Sequence, residues 1–319
     1  MTDAPRRTAD DVTVIIPTLG GDVLEGCLES LAQGCVWPAR LIVVDQGGDT
    51  AFASSIARLR QRGMDVEHIL TPANGISSAT NLGLRHVRTT FAAVTHDDCR
   101  VRTDWLWRVA TRLQDIGEAI LTGRVEPEGD GIVLTINTAD EPMTYRSPLI
   151  AGDVLFPPNM AFAVRLLERI GWLDEHPSLA TAGEDNEWAH RALRAGVSIV
   201  YDPTVIVGHL ARHRPEDLPA LYRRYARGQG AFYGTWLRRG DRFIARRATR
   251  DLLRAPWLFL RGLVTRNSEL VSMGRGEVLG LLPGIVAGLR NPGVRASAAR
   301  LTVDDQGARE GADRVNTAE

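Results

Sequence analysis

Acidic residues follow two stretches of the sequence that have the pattern of buried strands. Asp45 closes the apolar run at residues 40–45, and Asp97 and Asp98 follow the run at residues 91–95. In an open α/β sheet the carboxyl ends of the strands face the ligand crevice, so these carboxylates are candidates for binding a sugar, a ribose or a metal. Mg²⁺ or Mn²⁺ is held by one or two carboxylates together with substrate phosphates. The alternative is an acidic turn that caps the helix expected near Trp105.

A second acidic pair, Glu184 and Asp185, lies after a glycine in the segment TAGEDNEW. One interpretation is a helix N-terminus, where the helix dipole stabilises acidic side chains. The other is a general base, in which one carboxylate takes a proton from an acceptor hydroxyl. His209 ends the apolar run VIVGH, where it is either a structural residue or a metal ligand.

Four short apolar runs alternate with helical patterns in the first hundred residues. The runs cover residues 12–17, 40–45, 66–70 and 91–95, and the helical patterns cover residues 23–33, 51–62 and 77–87. This alternation predicts βαβ units and a parallel sheet with ligand loops at the carboxyl ends of its strands. Beyond them, we expect antiparallel strands within residues 119–138, helices at 164–171 and 184–195, and strands at 198–202 and 205–209.

Seven motifs, in order along the chain, carry a resemblance to a known family. They are VTVIIPTLGG, LIVVDQGGDT, NGISSATNLGL, THDDCRVRTDWL, NMAF, GEDNEWAHRALRAG and VIVGH. With these motifs, the segment from Thr13 to His209 resembles the family-two glycosyltransferases, and weaker similarity extends to about Arg242. The resemblance implies the GT-A fold, an α/β fold with a mixed, mainly parallel sheet flanked by helices. It also implies transfer of a sugar from a nucleotide-diphospho-sugar to an acceptor hydroxyl.

The resemblance further implies which residues bind the nucleotide-sugar donor. These residues are Pro17, Thr18, Asp45, Asn74, Gly75, Asn81 and Asp97. Pro17 and Thr18 look like the loop that touches the nucleobase, and Asp45 looks like the acid that binds the base or the ribose. Asn74, Gly75 and Asn81 look like the segment that closes around the nucleotide.

A divalent metal, Mn²⁺ or Mg²⁺, is implied at Asp98, with His209 completing the metal shell. Two positions depart from the family pattern. His96 stands in place of the first acid of the DxD motif, and Thr80 stands where an arginine is common. One charge that pairs with the diphosphate is therefore either missing or supplied by another residue.

The resemblance also suggests the residues that act on the acceptor. Asp185 looks like the catalytic base, with Glu184 beside it, and Asn159 in NMAF looks like part of the acceptor-side loop. These roles imply a single displacement at the anomeric carbon, which inverts its configuration.

Two other functions are weighed against glycosyl transfer. A sugar-nucleotide nucleotidyltransferase would need a basic residue soon after the first strand, and PTLGGDVLEG has none. A degenerate nucleotide-sugar-binding or scaffold protein stays open because of His96 and Thr80.

The net charge of −1 conceals an uneven distribution along the 319 residues. Residues 1–211 contain 18 Arg and 28 acidic residues, whereas residues 212–300 contain 18 Arg and 6 acidic residues. We therefore expect a flexible N-terminus (1–11), an acidic GT-A catalytic domain (12–211), a basic amphipathic helical extension (212–300) and a disordered tail (301–319). Aromatic residues interleave with arginine in the extension, which suggests that it lies on an anionic membrane surface. The alternative is a pair of solvated helices packed on the catalytic domain.

The sequence also bears on the location of the protein. Three cysteines cannot all pair, the N-terminal segment lacks an apolar signal region, and no 18-residue apolar run occurs. The run at residues 278–289 is too short to span a bilayer. No nucleic-acid-binding motif is present. We expect a cytoplasmic enzyme that associates peripherally with the inner face of the cell membrane and acts on a lipid-linked or cell-envelope glycan acceptor.

Overall fold

The computed structural model describes residues 7–48, 52–72, 75–150, 152–180 and 182–294. The strands are β1 (Arg7–Thr18), β2 (Val36–Asp45), β3 (Val66–Leu70), β4 (Phe91–Val94), β5 (Cys99–Val101), β6 (Ala119–Glu128), β7 (Met143–Tyr145), β8 (Met160–Ala163) and β9 (Ser198–Leu210). The helices are α1 (Val23–Ala32), α2 (Ala53–Gln61), α3 (Ile76–His86), α4 (Trp105–Ile116), α5 (Leu167–Ile170), α6 (Glu184–Arg194), α7 (Leu218–Leu237), α8 (Arg242–Thr265) and α9 (Ser268–Leu289).

The strands form one sheet in the order β3-β2-β1-β4-β8-β6-β9-β5, and β7 pairs with β9. β1 is parallel to β2 and β4, and β2 is parallel to β3, which confirms the parallel βαβ arrangement expected from the first hundred residues. The central strand is apolar on both faces because both faces are covered. Val14 and Ile16 belong to the core beneath α1, α2 and α4, whereas Ile15 belongs to the core beneath α3 and α6.

The structure corrects three details of the expected topology. β1 begins at Arg7 and pairs with β2 from Val36, so residues 7–11 belong to the sheet and not to a flexible N-terminus. β6 ends at Glu128; it is antiparallel to β8 but parallel to β9. The two short strands expected at 198–202 and 205–209 form one long strand, β9. The register of its pairing with β6 shifts between Gly123 and Arg124, and the pairing continues on both sides of this shift.

Helices α7, α8 and α9 follow the sheet, and α7 and α9 pack with their backbones in close contact. Glycines recur every fourth residue on the α9 face that meets α7: Gly276, Gly280, Gly284 and Gly288. A Cβ atom at Gly284 would lie 2.1 Å from the carbonyl oxygen of Arg227. Small residues are therefore required here, as in other closely packed helix pairs.

Among the described residues, α9 is the one helix whose length and composition would allow it to cross a membrane. Of its most apolar 18-residue stretch, 39% is buried inside the protein. Buried helices of soluble proteins meet the same criterion, so the helix carries little weight as a membrane span. The run at 278–289 is the second half of this helix, and the tail at 301–319 lies outside the described residues.

Candidate active site

The carboxyl ends of β1 and β4 bring Thr18 and Asp97 together. The hydroxyl of Thr18 donates a hydrogen bond of 2.7 Å to Oδ2 of Asp97, and the backbone N–H of Gly20 donates to the same hydroxyl. Burial raises the pKa of Asp97, and the hydrogen bond from Thr18 opposes that rise. Pro17, which precedes Thr18 in β1, is buried. The donor-binding residues expected at this edge of the sheet are thus linked to the acidic motif.

Asp98 and His209 lie side by side because β5 and β9 are antiparallel, with Cys99 opposite His209. Nε2 of His209 is 3.4 Å from Oδ2 of Asp98, and Nη2 of Arg212 is 2.6 Å from the same oxygen. Burial alone would raise the pKa of Asp98, but His209, His96 and Arg212 together lower it below its usual range. Asp98 is therefore a carboxylate at neutral pH.

The donor atoms around Asp98 fit a divalent cation. Asp98, Cys99 and His209 each direct one ligand atom to a region in which these atoms lie within 4.8 Å of one another. Nδ1–H of His209 donates to the carbonyl oxygen of Thr135 at 3.1 Å, which leaves Nε2 to face Asp98. Burial raises the pKa of the Cys99 thiol well above its usual value, so Cys99 stays protonated and is a poor ligand for a hard cation. Asp98 and His209 are therefore the two residues of this group that suit a hard divalent cation.

His96 occupies the position of the missing acid without replacing its charge. Burial lowers the pKa of His96 to about 4, so the imidazole is neutral at pH 7. Its Nε2 atom is buried and has no hydrogen-bond partner. A neutral ring nitrogen next to Asp97 and Asp98 can coordinate a cation, but it cannot balance the charge of the cation as a carboxylate does.

Asp45 is held by the loop that follows its own strand. Its Oδ1 atom accepts hydrogen bonds from the backbone N–H groups of Gly47 and Gly48, and its Oδ2 atom lies 3.3 Å from Nε2 of His68. The carboxylate is buried, so it shapes the loop that follows β2. Gln46 extends this loop toward α3, because its side-chain oxygen accepts a hydrogen bond of 2.9 Å from the N–H of Gly75.

Gly75 takes a backbone conformation that favours glycine, with a φ of 120° at the start of α3. An added Cβ would lie 3.3 Å from the carbonyl oxygen of Ala180, so the segment before α6 approaches α3 closely. Asn74, the preceding residue, lies outside the described residues.

Two expected substrate contacts, Asn81 and Asn159, are buried and bonded to the protein itself. The amide of Asn81 bonds to both the N–H and the carbonyl of Leu173 and to Glu175, so it fastens α3 to the segment before α6. Asn159 donates to the carbonyls of Arg124 and Val205 and accepts from Trp105. Both amides therefore hold segments of the site in place, and their contacts with donor and acceptor stay predictions.

Glu184 and Asp185 form the first turn of α6, as expected. The helix begins after Gly183, which has a φ of 88°, and a Cβ there would lie 2.5 Å from the carbonyl oxygen of Gly228 in α7. Burial raises the pKa of both carboxyl groups, and the charge of Asp185 adds to the rise at Glu184. The Oε2 atom of Glu184 is buried without a hydrogen-bond partner. Carboxylates with raised pKa values are suited to taking up a proton.

The structure adds residues around this pair that sequence motifs did not indicate. The charge of Asp153 raises the pKa of Asp185 further, and Nη2 of Arg247 in α8 lies 3.7 Å from Oδ1 of Asp153. Asn186 donates a hydrogen bond of 3.1 Å to Gln229 in α7. The C-terminal helices therefore contribute directly to the surroundings of α6. The only signal in the sequence was the density of arginine and aromatic residues in that region.

Comparisons with solved structures agree with this architecture. The chain resembles the mannosyltransferase PcManGT from Pyrobaculum calidifontis, solved in complex with GDP-Man and Mn²⁺, with a TM-score of 0.58, 16% identity and coverage of 89% of this chain and 88% of that one. It also resembles residues 1–349 of TarS from S. aureus, with a TM-score of 0.51, 15% identity and coverage of 84% and 90%. At these identities the likeness establishes the GT-A fold of nucleotide-diphospho-sugar transferases.

Sequence comparison identifies the family. Residues 13–168, just under half of the chain, match the family described as Glycosyl transferase family 2, so the chain contains a glycosyltransferase domain of this family. It is 26% identical to glycosyltransferase AglE of Haloferax volcanii over 66% of this chain and 71% of that protein. It is 23% identical to the O-antigen chain rhamnosyltransferase RfbN of Salmonella typhimurium over 85% of this chain and 91% of that one. The resemblance inferred from the seven motifs is confirmed.

Proposed function

We propose that this glycosyltransferase moves a sugar from a nucleotide-diphospho-sugar to an acceptor hydroxyl by a single, inverting displacement assisted by a divalent metal. The observation that carries the proposal is the convergence of Thr18, Asp97, Asp98 and His209 at one edge of the sheet. In an α/β sheet this edge is where ligands bind. PcManGT, a mannosyltransferase of the same fold, was solved with GDP-Man and Mn²⁺, which supports a donor and a metal of these classes.

Asp98 and His209 would hold the cation, Mn²⁺ or Mg²⁺. When bound, the cation supplies positive charge to the diphosphate leaving group. Thr18 and Asp97 sit beside this position and would orient the donor, with the loop after Asp45 forming the neighbouring wall.

Asp185 would act as the general base, with Glu184 beside it. Its carboxylate takes the proton of the acceptor hydroxyl while that oxygen forms a bond to the anomeric carbon. The bond between the anomeric carbon and the diphosphate oxygen breaks, and the nucleoside diphosphate leaves with the electron pair. Attack from the face opposite the leaving group inverts the anomeric configuration.

The acceptor is a glycan of the cell envelope or a lipid-linked precursor of one. The name of the relative RfbN, an O-antigen chain rhamnosyltransferase, supports this class. The neighbour TarS was solved with UDP and with UDP-GlcNAc, and PcManGT with GDP-Man, so these neighbours support both uracil and guanine as the nucleobase of the donor.

We further propose that the enzyme works on the cytoplasmic face of the cell membrane, docked through α8. The large apolar side chains most exposed on this helix are Leu253 (71%), Trp257 (54%), Leu260 (59%) and Val264 (84%). They recur at intervals of four, three and four residues, so they lie in one line. The buried Ala255, Leu258 and Gly262 lie on the opposite side of the helix.

Arginine continues the same line toward the start of α8. Arg250, Arg246 and Arg242 precede Leu253 at intervals of three and four residues, and all are exposed. One outward face therefore passes from cationic to apolar along its length. An anionic bilayer matches this combination, since arginine pairs with lipid headgroups while tryptophan and leucine enter the acyl boundary.

The glycosyl-transfer proposal is tested with the full chain and a panel of UDP-, GDP- and dTDP-sugars in the presence of Mn²⁺. One member should raise the thermal stability, because a ligand at 100 times its Kd adds about 2.7 kcal/mol. That donor should then release its nucleoside diphosphate, by hydrolysis or transfer, with wild type and not with Asp98→Asn. Stabilisation by a donor that is never cleaved would instead support a nucleotide-sugar-binding protein and contradict the proposal.

A further inference from the structure

Position 80 cannot provide the arginine that related glycosyltransferases often place against the diphosphate. Thr80 has no charge, and it is only 2% exposed within α3. If the proposed function is correct, the two negative charges of the diphosphate still need a partner in addition to the cation at Asp98. A basic residue from another part of the chain that lies beside Asp98 can fill this role.

Arg212 lies at the required place. It follows the end of β9, and its Nη2 atom is 2.6 Å from Oδ2 of Asp98. Nε2 of His209 faces the same oxygen from 3.4 Å. The side chain of Arg212 is 48% exposed, so it has room to change rotamer.

Arg100, which follows Asp98 closely in sequence, is turned the other way. Its guanidinium donates to the carbonyl oxygens of Val23 and Cys99, away from the acidic motif. Arg212 reaches the motif only because β9 runs beside β5 and carries the following residues past Asp98. Leu210 donates its N–H to the carbonyl of Asp98, which fixes the chain at that point.

We propose that Arg212 is the diphosphate-binding residue that replaces the missing arginine at position 80, and that it pairs with Asp98 until the cation and the donor bind. The Arg212 guanidinium competes with a cation for Oδ2 of Asp98, because two positive charges then face the same carboxylate oxygen. Binding of the cation therefore releases the guanidinium, whose planar pair of N–H groups suits two phosphate oxygens.

Two opposite effects of Arg212→Gln distinguish this role from a simple ion pair. Affinity for Mn²⁺ alone, measured by electron paramagnetic resonance of the free ion, should rise because the competing guanidinium is gone. Affinity for inorganic pyrophosphate in saturating Mn²⁺, measured by calorimetry, should fall about tenfold, the effect of losing one charge-assisted hydrogen bond. Arg212→Lys should recover part of the pyrophosphate affinity.

Arg214→Gln is the matched control, since it removes an exposed arginine from the same segment and should change neither affinity. A gain in Mn²⁺ affinity with unchanged pyrophosphate affinity would overturn the proposal, as would no change in either.

Asp98→Asn separates this failure from failure of the proposed function. If Asp98→Asn abolishes Mn²⁺ binding while Arg212→Gln changes neither the Mn²⁺ affinity nor the pyrophosphate affinity, only the role of Arg212 is wrong. If wild type and Asp98→Asn bind Mn²⁺ equally, the metal site itself is wrong, and the proposal for Arg212 falls with it.

Discussion

Nε2 of His209 lies 3.4 Å from Oδ2 of Asp98, although the two residues are 111 positions apart in the sequence. The contact exists because β5 and β9 pair antiparallel at one edge of the sheet, with Cys99 opposite His209. The carbonyl of Thr135 accepts the hydrogen bond from the other ring nitrogen and so sets the orientation of the imidazole. This pair joins the last residue of the acidic motif to the end of β9.

His209→Ala is expected to weaken Mn²⁺ binding by roughly tenfold or more, since it removes one of two protein ligands. The measurement is electron paramagnetic resonance of free Mn²⁺ titrated with the protein. His213→Ala, which removes a histidine four residues further on, serves as the control and should bind Mn²⁺ as wild type does. Equal affinities in all three proteins would exclude His209 as a ligand.

Asp185→Asn is expected to lower kcat by about 10²-fold or more while donor binding is retained, because the amide cannot take the acceptor proton. Release of the nucleoside diphosphate measures transfer, and thermal stabilisation by the donor measures donor binding. Glu184→Gln should retain more activity than Asp185→Asn if Asp185 is the base. Glu168→Gln is the control, because Glu168 is an exposed carboxylate on α5, and it should change neither kcat nor donor binding. The assignment is wrong if Asp185→Asn turns over near the wild-type rate.

The pH dependence of kcat should show that the base, Asp185, has a raised pKa. An ordinary aspartate has a pKa of ~3.9, and burial raises the pKa of Asp185 above that value. The base works only when unprotonated, so kcat should fall as pH decreases through this raised pKa, closer to neutrality than for an exposed carboxylate.

The same raised pKa values make a prediction for stability. The folded state holds these protons more tightly than the unfolded state, so the contribution of the Glu184–Asp185 pair is greatest at low pH. It is lost as pH rises through the folded-state pKa. Urea unfolding of wild type and of Asp185→Asn at several pH values would measure this difference. An acid limb of kcat near pH 4, with no difference in stability profiles, would contradict burial of the pair.

Gly284→Ala is expected to destabilise the protein by about 1–3 kcal/mol, the usual cost of overpacking. The new Cβ would lie 2.1 Å from the backbone carbonyl oxygen of Arg227, so α7 and α9 would have to move apart to accommodate it. Gly152→Ala is the matched control, because nothing lies within 4 Å of a Cβ at that position. Urea unfolding measures both, and equal stabilities would show that α7 and α9 are not packed through their glycines.

Replacing Trp257 and Leu260 together with Gln should reduce sedimentation with vesicles that contain phosphatidylglycerol. These side chains lie in the apolar line of α8, and their burial in lipid would be lost. Trp107→Gln with Leu149→Gln is the control, since both residues are at least half exposed on the catalytic domain. Wild type should bind less at high salt and to neutral vesicles.

Unchanged vesicle binding in the α8 variant would remove the membrane assignment. Concentration-dependent dimers of wild type that the same substitutions abolish, without vesicle binding, would show that a second copy of the chain covers this face. Analytical ultracentrifugation distinguishes these outcomes.

Local patterns in the sequence predicted much of the fold correctly. The apolar runs at residues 12–17, 40–45 and 91–95 form strands because short β-branched runs suit a sheet covered on both faces. Glu184 and Asp185 begin a helix as expected, after a glycine with positive φ. The seven motifs were sufficient to identify the family. All of these features depend on residues close together in the chain.

Tertiary structure alone decided which side chains meet. Asn81 and Asn159 occur in recognisable motifs, yet their amides form hydrogen bonds within the protein. Asn81 donates to the carbonyl oxygen of Leu173, and Asn159 accepts from the indole N–H of Trp105. Arg212 lies in no motif, yet the pairing of β5 with β9 brings it to Asp98. Periodicity reports the environment of a residue along its own strand or helix, whereas contacts between distant segments depend on strand order, register and helix packing, which no local pattern specifies.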